Sequence, residues 1–350
     1  MATSNPCVSV NDSAVSITVC VPVYNVEDYL KECLDSIFSQ EYPFFDVVMV
    51  DDGSTDSSGA ICDEYAVNNS RRTIVIHKEN EGLLLARRDA FAHATGEYVM
   101  CVDSDDMLIP GALETVASIV SKTGADVVRY GLTRDLDEMG TVLRDAPYRF
   151  YSYEEKPKML RAICSSTSGS ENPMWFKAIH RDCVGLDVDF SPFKGLTFAE
   201  DFLQSLTVYD RAKTFCFTDA KLYFYRPGSG ITRAYCPHFY RDVCRCLDVA
   251  EDFATRWENE YPSCDDLLEG LATCRIDSAA QYAEWLAIQE DEVGLNNLRY
   301  SEDFIRCMNL ASNRSELRAD RRLAICALRS GHYSILRLLS KMREVVRSLK

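Results

Sequence analysis

The sequence predicts an α/β protein, with a mainly parallel sheet carrying helices on both faces and a helical C-terminal region behind it. Three observations lead there. Short apolar, β-branched runs alternate with helical periodicities at βαβ spacing from residue 16 to about 131. Three of those runs end in polar residues of unusual chemistry, and ligands of parallel sheets bind beyond the carboxyl ends of the strands. From residue 238 onward only helical patterns remain.

The elements follow in order. Residues 16–24, SITVCVPVY, are β-branched and apolar and make a buried first strand. Asn25 caps the helix that follows, with Asp28 three residues on and Leu30, Cys33, Leu34 and Ile37 forming one apolar stripe. Residues 45–50 form a second strand ending in Asp51 and Asp52, residues 60–67 a short helix, and residues 73–77 a third strand. A helix over 82–94 carries Arg87 and Arg88 and leads to a fourth strand at 98–102. A helix at 113–121 and a strand at 126–130 complete the regular part.

The fourth strand runs straight into Asp103, Asp105 and Asp106, with only Ser104 between them. Carboxylates crowded this closely repel by roughly 4 kcal/mol per pair at about 4 Å and an effective dielectric near 20, so something must neutralise them. A hard divalent cation, Mg²⁺ or Mn²⁺, takes oxygen ligands and leaves positions open for a phosphate. The competing explanation is an acidic cap for the next helix, for which one acid suffices. No GxGxxG and no GxxxxGK[ST] occurs, which excludes a dinucleotide site and a P-loop.

Composition narrows the class. The 350 residues are 47% hydrophobic and 26% charged, ordinary for a globular protein with one large or two modest domains. A formal charge of −16 argues against nucleic acid as a partner. From Arg314 to Lys350 ten basic residues face three acids, a net of +7 that leaves −23 on the rest and makes the tail electrostatically separate. Fifteen cysteines are scattered, never spaced CxxC, and mostly inside apolar runs, which indicates a reducing compartment. The N-terminus has no basic and apolar leader pattern and no 18-residue apolar run exists, so the expected location is cytoplasmic.

The runs VCVPVYN, VVMVDDGSTDSS and NEGLLLARRDAFAHATGEYVMCVDSDDMLIPGAL, in that order, resemble the nucleotide-sugar half of a family 2 glycosyltransferase with the GT-A fold. The resemblance covers residues 16 to about 131 almost without a gap. It implies that Pro22, Tyr24 and Asp52 hold the uracil of a UDP-sugar. Asp103 faces the ribose and, with Asp105 as the principal ligand, carries the Mn²⁺ or Mg²⁺, while Asp106 orients the loop. Arg88 stands where the family often has Asn, and a cation there suits a diphosphate. Taken singly, these residues have plainer explanations: a strand terminus, a turn before Gly53, a solvated helix face. Their joint order is what favours the site.

The second half is less regular, with a helix over 152–163 and a loop over 164–172. NPMWFKAIHRDCV resembles the family's acceptor-side segment, with Asn172, Trp175 and Lys177 in place. Trp175 is either a core anchor or a stacking platform for a sugar. Glu200 and Asp201 head an apolar-periodic helix, where acids favour the dipole; the resemblance makes Asp201 the catalytic base. KLYFYRPGSGITR resembles the closing segment, in which Tyr225, Arg226, Ser229 and Thr232 approach the diphosphate as a lid. The implied organisation is a GT-A domain over 1–235, with a nucleotide-sugar half at 16–131 and an acceptor half at 132–235, then a helical region over 236–350.

That region contains helices at 243–257, 265–287 and 300–310. In the last helix Ile335, Leu338, Leu339, Met342, Val345, Val346 and Leu349 fall on one side, with Arg337, Lys341, Arg343, Arg347 and Lys350 around the other. Such a helix lies on an anionic membrane at the inner face of the cell, docks on a partner, or packs on its own domain. The functional expectation is a metal-dependent inverting transferase using a UDP-sugar and a glycan or lipid-linked acceptor. A sugar-phosphate nucleotidyltransferase would need a Gly-rich basic loop after the first strand, and VPVYNVEDY has none. A non-catalytic carbohydrate-binding or assembly protein would have no use for a base at Asp201.

Overall fold

The structure, a computed structural model, describes residues 14–69, 72–140, 146–166, 169, 171–228, 238–311 and 317–348. The chain divides into two compact units: residues 1–156 with 173–231, and residues 157–172 with 232–350.

In the first unit, β1 (Ile17–Val23), β2 (Phe45–Asp51), β3 (Thr73–His77) and β4 (Tyr98–Cys101) pair in parallel in the order β3-β2-β1-β4. Both faces are covered, as the period of two in a strand requires when the run is apolar throughout. Ile17, Val19, Val21 and Val23 pack with α1 (Glu27–Phe38) and α4 (Ala112–Thr123), and α3 (Leu83–His93) lies on β1 and β2. A second short helix, α2 (Ser58–Asn68), packs on β3. Pro22 pairs only with Val50 of β2, because β4 has ended by then, so its missing N–H leaves no ladder bond unmade.

Beyond β4 the sheet becomes mixed. β8 (Lys177–His180) is inserted antiparallel between β4 and β6 (Val127–Thr133), and β9 (Phe215–Phe224) runs parallel to β6. The two-residue β5 (Met107–Leu108) and β7 (Tyr148–Tyr151) pair antiparallel with β9. β9 thereby places Phe224, Tyr225 and Arg226 beside the loop that follows β4. Helix α6 (Glu200–Arg211) brings its first turn to α3.

Asn25 differs from the expected helix cap. It takes a left-handed φ of 46°, and its side chain accepts from Thr55 N at 2.8 Å. Val26 occupies the cap position without a side-chain bond. The first turn of α1 is served instead from the loop after β2: Val26 N donates to Ser58 Oγ and Glu27 N to Asp56 Oδ2, while Ser57 N donates back to Glu27 Oε2.

The second unit is helical: α5 (Lys156–Cys164), α7 (Phe239–Glu260), α8 (Leu267–Ile288), α9 (Glu292–Arg299), α10 (Glu302–Leu310), α11 (Ala319–Ser330) and α12 (Tyr333–Ser348). Helix α8 is its axis, touching α7, α9, α10, α11 and α12 through small residues such as Ala279, Ala280 and Ala283. Helix α12 packs on this unit by Leu336 and Leu339, whereas Leu338 and Met342 are 59% and 57% exposed. The apolar stripe expected from the sequence is therefore rotated: Leu336, outside that stripe, is the buried residue. Arg337 donates to the Ala287 carbonyl, and Arg343 pairs with Glu284 and Asp320, so only Lys341 of the three described basic residues stays in solvent. The side chains of Val345, Val346 and Arg347, and residues Leu349 and Lys350, lie outside the described residues. No helix among the described residues is long and apolar enough to cross a membrane.

Candidate functional site

The carboxyl ends of β1, β2 and β4 bring the expected residues to one edge of the sheet. After β1, Tyr24 is half exposed and Asn25 N donates to Ser54 Oγ at 3.1 Å, knitting this loop to the one after β2. Asp51 accepts from Ser54 N at 2.9 Å and contacts His77 Nδ1 at 2.8 Å. Asp52 is buried, and its two oxygens accept from Glu81 N at 2.9 Å and Gly82 N at 2.8 Å. It anchors the turn that enters α3, where Gly82 has a φ of 95° open to glycine.

Arg87 and Arg88 part company on α3. Arg88 turns away from the acidic loop, donates to the carbonyls of Val184 and Gly185, and lies over the Phe190 ring at 4.9 Å. The arginine at Asp103 is Arg87, at 1% exposure. It donates through Nη2 to Asp103 Oδ1 at 2.8 Å and through Nη1 to Asp201 Oδ1. Asp103 and Asp201 are each 23% exposed, so the pair opens on one side to solvent. Arg87, which joins the two acids, is the residue that sequence reasoning passed over. The signal was present as two adjacent arginines, but which one turns inward depends on the 100° step of the helix against the sheet.

Asp201 sits in the first turn of α6, after Ala199 in a left-handed conformation with φ of 63°. That conformation costs a non-glycine residue about 1–2 kcal/mol, and such strain concentrates at functional turns. Burial raises the Asp201 carboxyl above its usual range, against the pull of Arg87. Burial, and then Asp201, push Glu200 to about 8. Lys177, fully buried on β8, donates to Ser205 Oγ one turn along α6 at 2.8 Å and serves as packing behind Asp201. Asn172 belongs to the other compact unit, where its Nδ2 donates to the Ser166 carbonyl at 2.6 Å.

The acidic loop is divided between tasks. Asp106 is buried and accepts from Tyr223 Oη at 2.8 Å and Arg226 N at 2.7 Å. Asp103 and Asp105 keep partial exposure. Arg226 also donates through Nε to the Asp105 carbonyl at 2.8 Å and pairs with Glu32 at 2.6 Å. Trp175 is a partly buried member of an aromatic stack, with ring centroids 4.8 Å from Tyr223 and 5.5 Å from Tyr225. An open cleft of about 870 Å³ borders this side of the loop, walled by Tyr29, Arg134, Phe224 and Arg226. Ser229 and Thr232, the other expected lid residues, lie outside the described residues.

No three metal-ligating side chains converge among the described residues. The donor set therefore suits a cation only as an open site, in which Asp103 and Asp105 supply part of the coordination and a diphosphate the rest, the usual arrangement for Mg²⁺.

Comparison with known proteins gives one answer. Residues 18–181 match the model of glycosyl transferase family 2. Over 111 residues, 32% of this chain, the sequence is 46% identical to glycosyltransferase GlyA of Streptococcus pneumoniae, 16% of which is covered. It is 27% identical over 212 residues to the putative glycosyltransferase EpsH of Bacillus subtilis, covering 60% of each chain. The chain thus spans less than two thirds of the length of these relatives. The crystal structure of Staphylococcus aureus TarS 1-349 in complex with UDP-GlcNAc superposes with a TM-score of 0.63 at 20% identity, over 94% of this chain and 91% of that one. The fold is accordingly GT-A followed by a helical region.

Burial, reinforced by Asp105 and Asp103, raises the Asp106 pKa to about 8. A carboxyl raised on folding adds stability that is complete below its unfolded value near 4 and is lost as pH rises through the folded value. Without divalent cation, urea unfolding of the wild type should show stability falling between about pH 4 and 8 and levelling above, and Asp106→Asn should flatten that part of the profile. Parallel curves for the two proteins would remove Asp106 as the source.

Proposed function

Residues 18–181 match the model of glycosyl transferase family 2, and from that likeness we propose that the chain is an inverting glycosyltransferase that moves a sugar from a UDP-sugar to an acceptor hydroxyl. The work it serves is glycan or cell-surface polysaccharide synthesis. One observation carries the reading: Asp103, from the donor half, and Asp201, from the acceptor half, meet on a single buried guanidinium. A binding module has no need to bring a carboxyl of raised proton affinity to that place.

In this reading Pro22, Tyr24 and the turn held by Asp52 frame the uracil. Asp103 faces the ribose and diphosphate, and Arg226, fixed at the acidic loop, presents a guanidinium to the departing phosphate. A divalent cation, Mn²⁺ or Mg²⁺, held by Asp105 and Asp103, would neutralise charge on the diphosphate when bound. Asp201 takes the proton of the acceptor hydroxyl as its oxygen forms the bond to the anomeric carbon and the bond to the UDP oxygen breaks. Attack from the face opposite UDP inverts that carbon, and no protein nucleophile is required. The solved TarS complex with UDP-GlcNAc supports a UDP-sugar as the donor class. Against a nucleotidyltransferase, the loop after β1 carries Tyr24 and Asn25 in place of a glycine-rich triphosphate grip.

Three outcomes are expected. A thermal-shift panel of nucleotide sugars selects the donor; Asp201→Asn then binds it like the wild type but transfers about 10² to 10⁴ times more slowly. Transfer at the wild-type rate would place the base elsewhere. In calorimetry, Asp105→Asn should abolish the strengthening of UDP binding by Mn²⁺, while Asp106→Asn retains part of it. Equal strengthening in Asp105→Asn and wild type would take the metal away from that residue.

We also propose that α12 touches anionic membrane through Leu338, Met342 and Lys341, the exposed part of its surface. Sedimentation with phosphatidylglycerol vesicles should show salt-sensitive binding that Leu338→Ser/Met342→Ser loses without a change in melting temperature. Retention of binding by that variant would reassign the face. Truncating the helix is no substitute as a test, because Leu336 and Leu339 belong to the core of its unit.

A further inference from the structure

Arg87 is reached from three separate pieces of chain. It leaves the first turns of α3, which the Asp52 carboxylate fixes through Glu81 and Gly82, and it meets carboxylates 16 and 114 residues away. At 1% exposure its guanidinium is closed to any diphosphate in this conformation, so whatever it contributes passes through the two carboxylates. Besides Arg87, the Asp201 carboxylate accepts a hydrogen bond from the Met174 amide, which lies in the acceptor half and so does not tie it to Asp103. Its helix starts at an uncapped left-handed residue, and neighbouring Glu200 competes for the same corner.

We propose that Arg87 is a positioning residue for the transfer step: it fixes the Asp201 carboxylate relative to Asp103, so that the orientation of the base depends on the donor-side acid being in place. The inference rests on the reading of Asp201 as the base. Its physical content is a planar fork whose two terminal nitrogens each hold one carboxylate. Lysine, a point charge on a flexible stem, holds one carboxylate or the other but not both in fixed relation. A displacement of about 1 Å in a reacting group is enough to cost 10²-fold in rate.

The test is a double-mutant cycle on UDP release, with the panel-selected UDP-sugar at saturation and water as acceptor, which avoids the need for the natural one. Arg87→Lys, Asp201→Asn and the double variant are compared, with melting curves confirming the fold of each. Arg87→Lys should lower the rate about 100-fold in the wild-type background, and by no more than about twofold when Asp201 is already Asn. A role in stability alone would lower both backgrounds by the same factor. Wild-type rate in Arg87→Lys, or losses that multiply in the double variant, would overturn the inference. A wild-type rate in Asp201→Asn would instead overturn the base reading, which separates the two failures. If Arg87→Lys does not fold, the same cycle is run from Arg87→Gln, which lacks the fork, and the same failure to multiply is expected.

Discussion

A positive charge withdrawn from water has to be met inside the protein, and for Arg87 that requirement orders this edge of the sheet. The guanidinium is neutralised by Asp103 and Asp201, which come from different halves of the sheet unit. Neither acid alone settles the account of charge: one guanidinium between two carboxylates leaves the cluster net negative. Adding Asp105 and Asp106 makes it more so, and Asp106 responds by retreating into burial, where its proton affinity rises. The residual negative charge stays at Asp103, Asp105 and Asp201, the acids that remain partly exposed. Burial thus sorts four carboxylates into one that shapes the loop and three that keep part of their surface in solvent.

Rigidity at this edge has a second source in the paired loops after β1 and β2. Their contacts are reciprocal: Asn25 and Glu27 serve amides of the second loop, while Ser54, Asp56 and Ser58 serve amides of the first. A helix start without its own cap is thereby satisfied by a neighbour, and neither loop can shift without stranding donors of the other. Asp52 extends the same logic to α3, since the turn it holds fixes where Arg87 begins. The paired loops after β1 and β2 and the Arg87 side of the site are mechanically one piece.

Much of this was legible in the sequence, and the limits have physical causes. The four parallel strands and their acidic ends were readable because apolar runs and Asp clusters are local signals. The antiparallel insertion of β8 between β4 and β6 was not, because it depends on pairing between segments about 50 to 80 residues apart that no local pattern encodes. Asp201, Arg226 and the acid pair were nominated through order and resemblance. Arg87 was passed over for Arg88 because the two differ only by helical phase, and phase is set by packing against a sheet whose exact position sequence does not give. The same kind of error placed Leu338 where Leu336 belongs on α12.

The basic tail shows why charge counted along a chain differs from charge presented to a partner. Counted by residues, 314–350 carry a net of +7 against a strongly acidic remainder. In the fold, Arg343 is drawn to Glu284 and Asp320, and Arg321 to Asp277 and Glu284, so acids of α8 neutralise bases of α11 and α12. Glu284 is buried among them, which makes these pairs part of the packing of the helical unit and not a solvated field. What α12 offers outward is an apolar ridge of Leu338 and Met342 with Lys341 beside it, while Arg318, Arg322 and Arg329 stay exposed around α11. A surface of that kind depends on apolar insertion at least as much as on charge, and its salt sensitivity reports only the fraction of the seven charges that the fold leaves unspent.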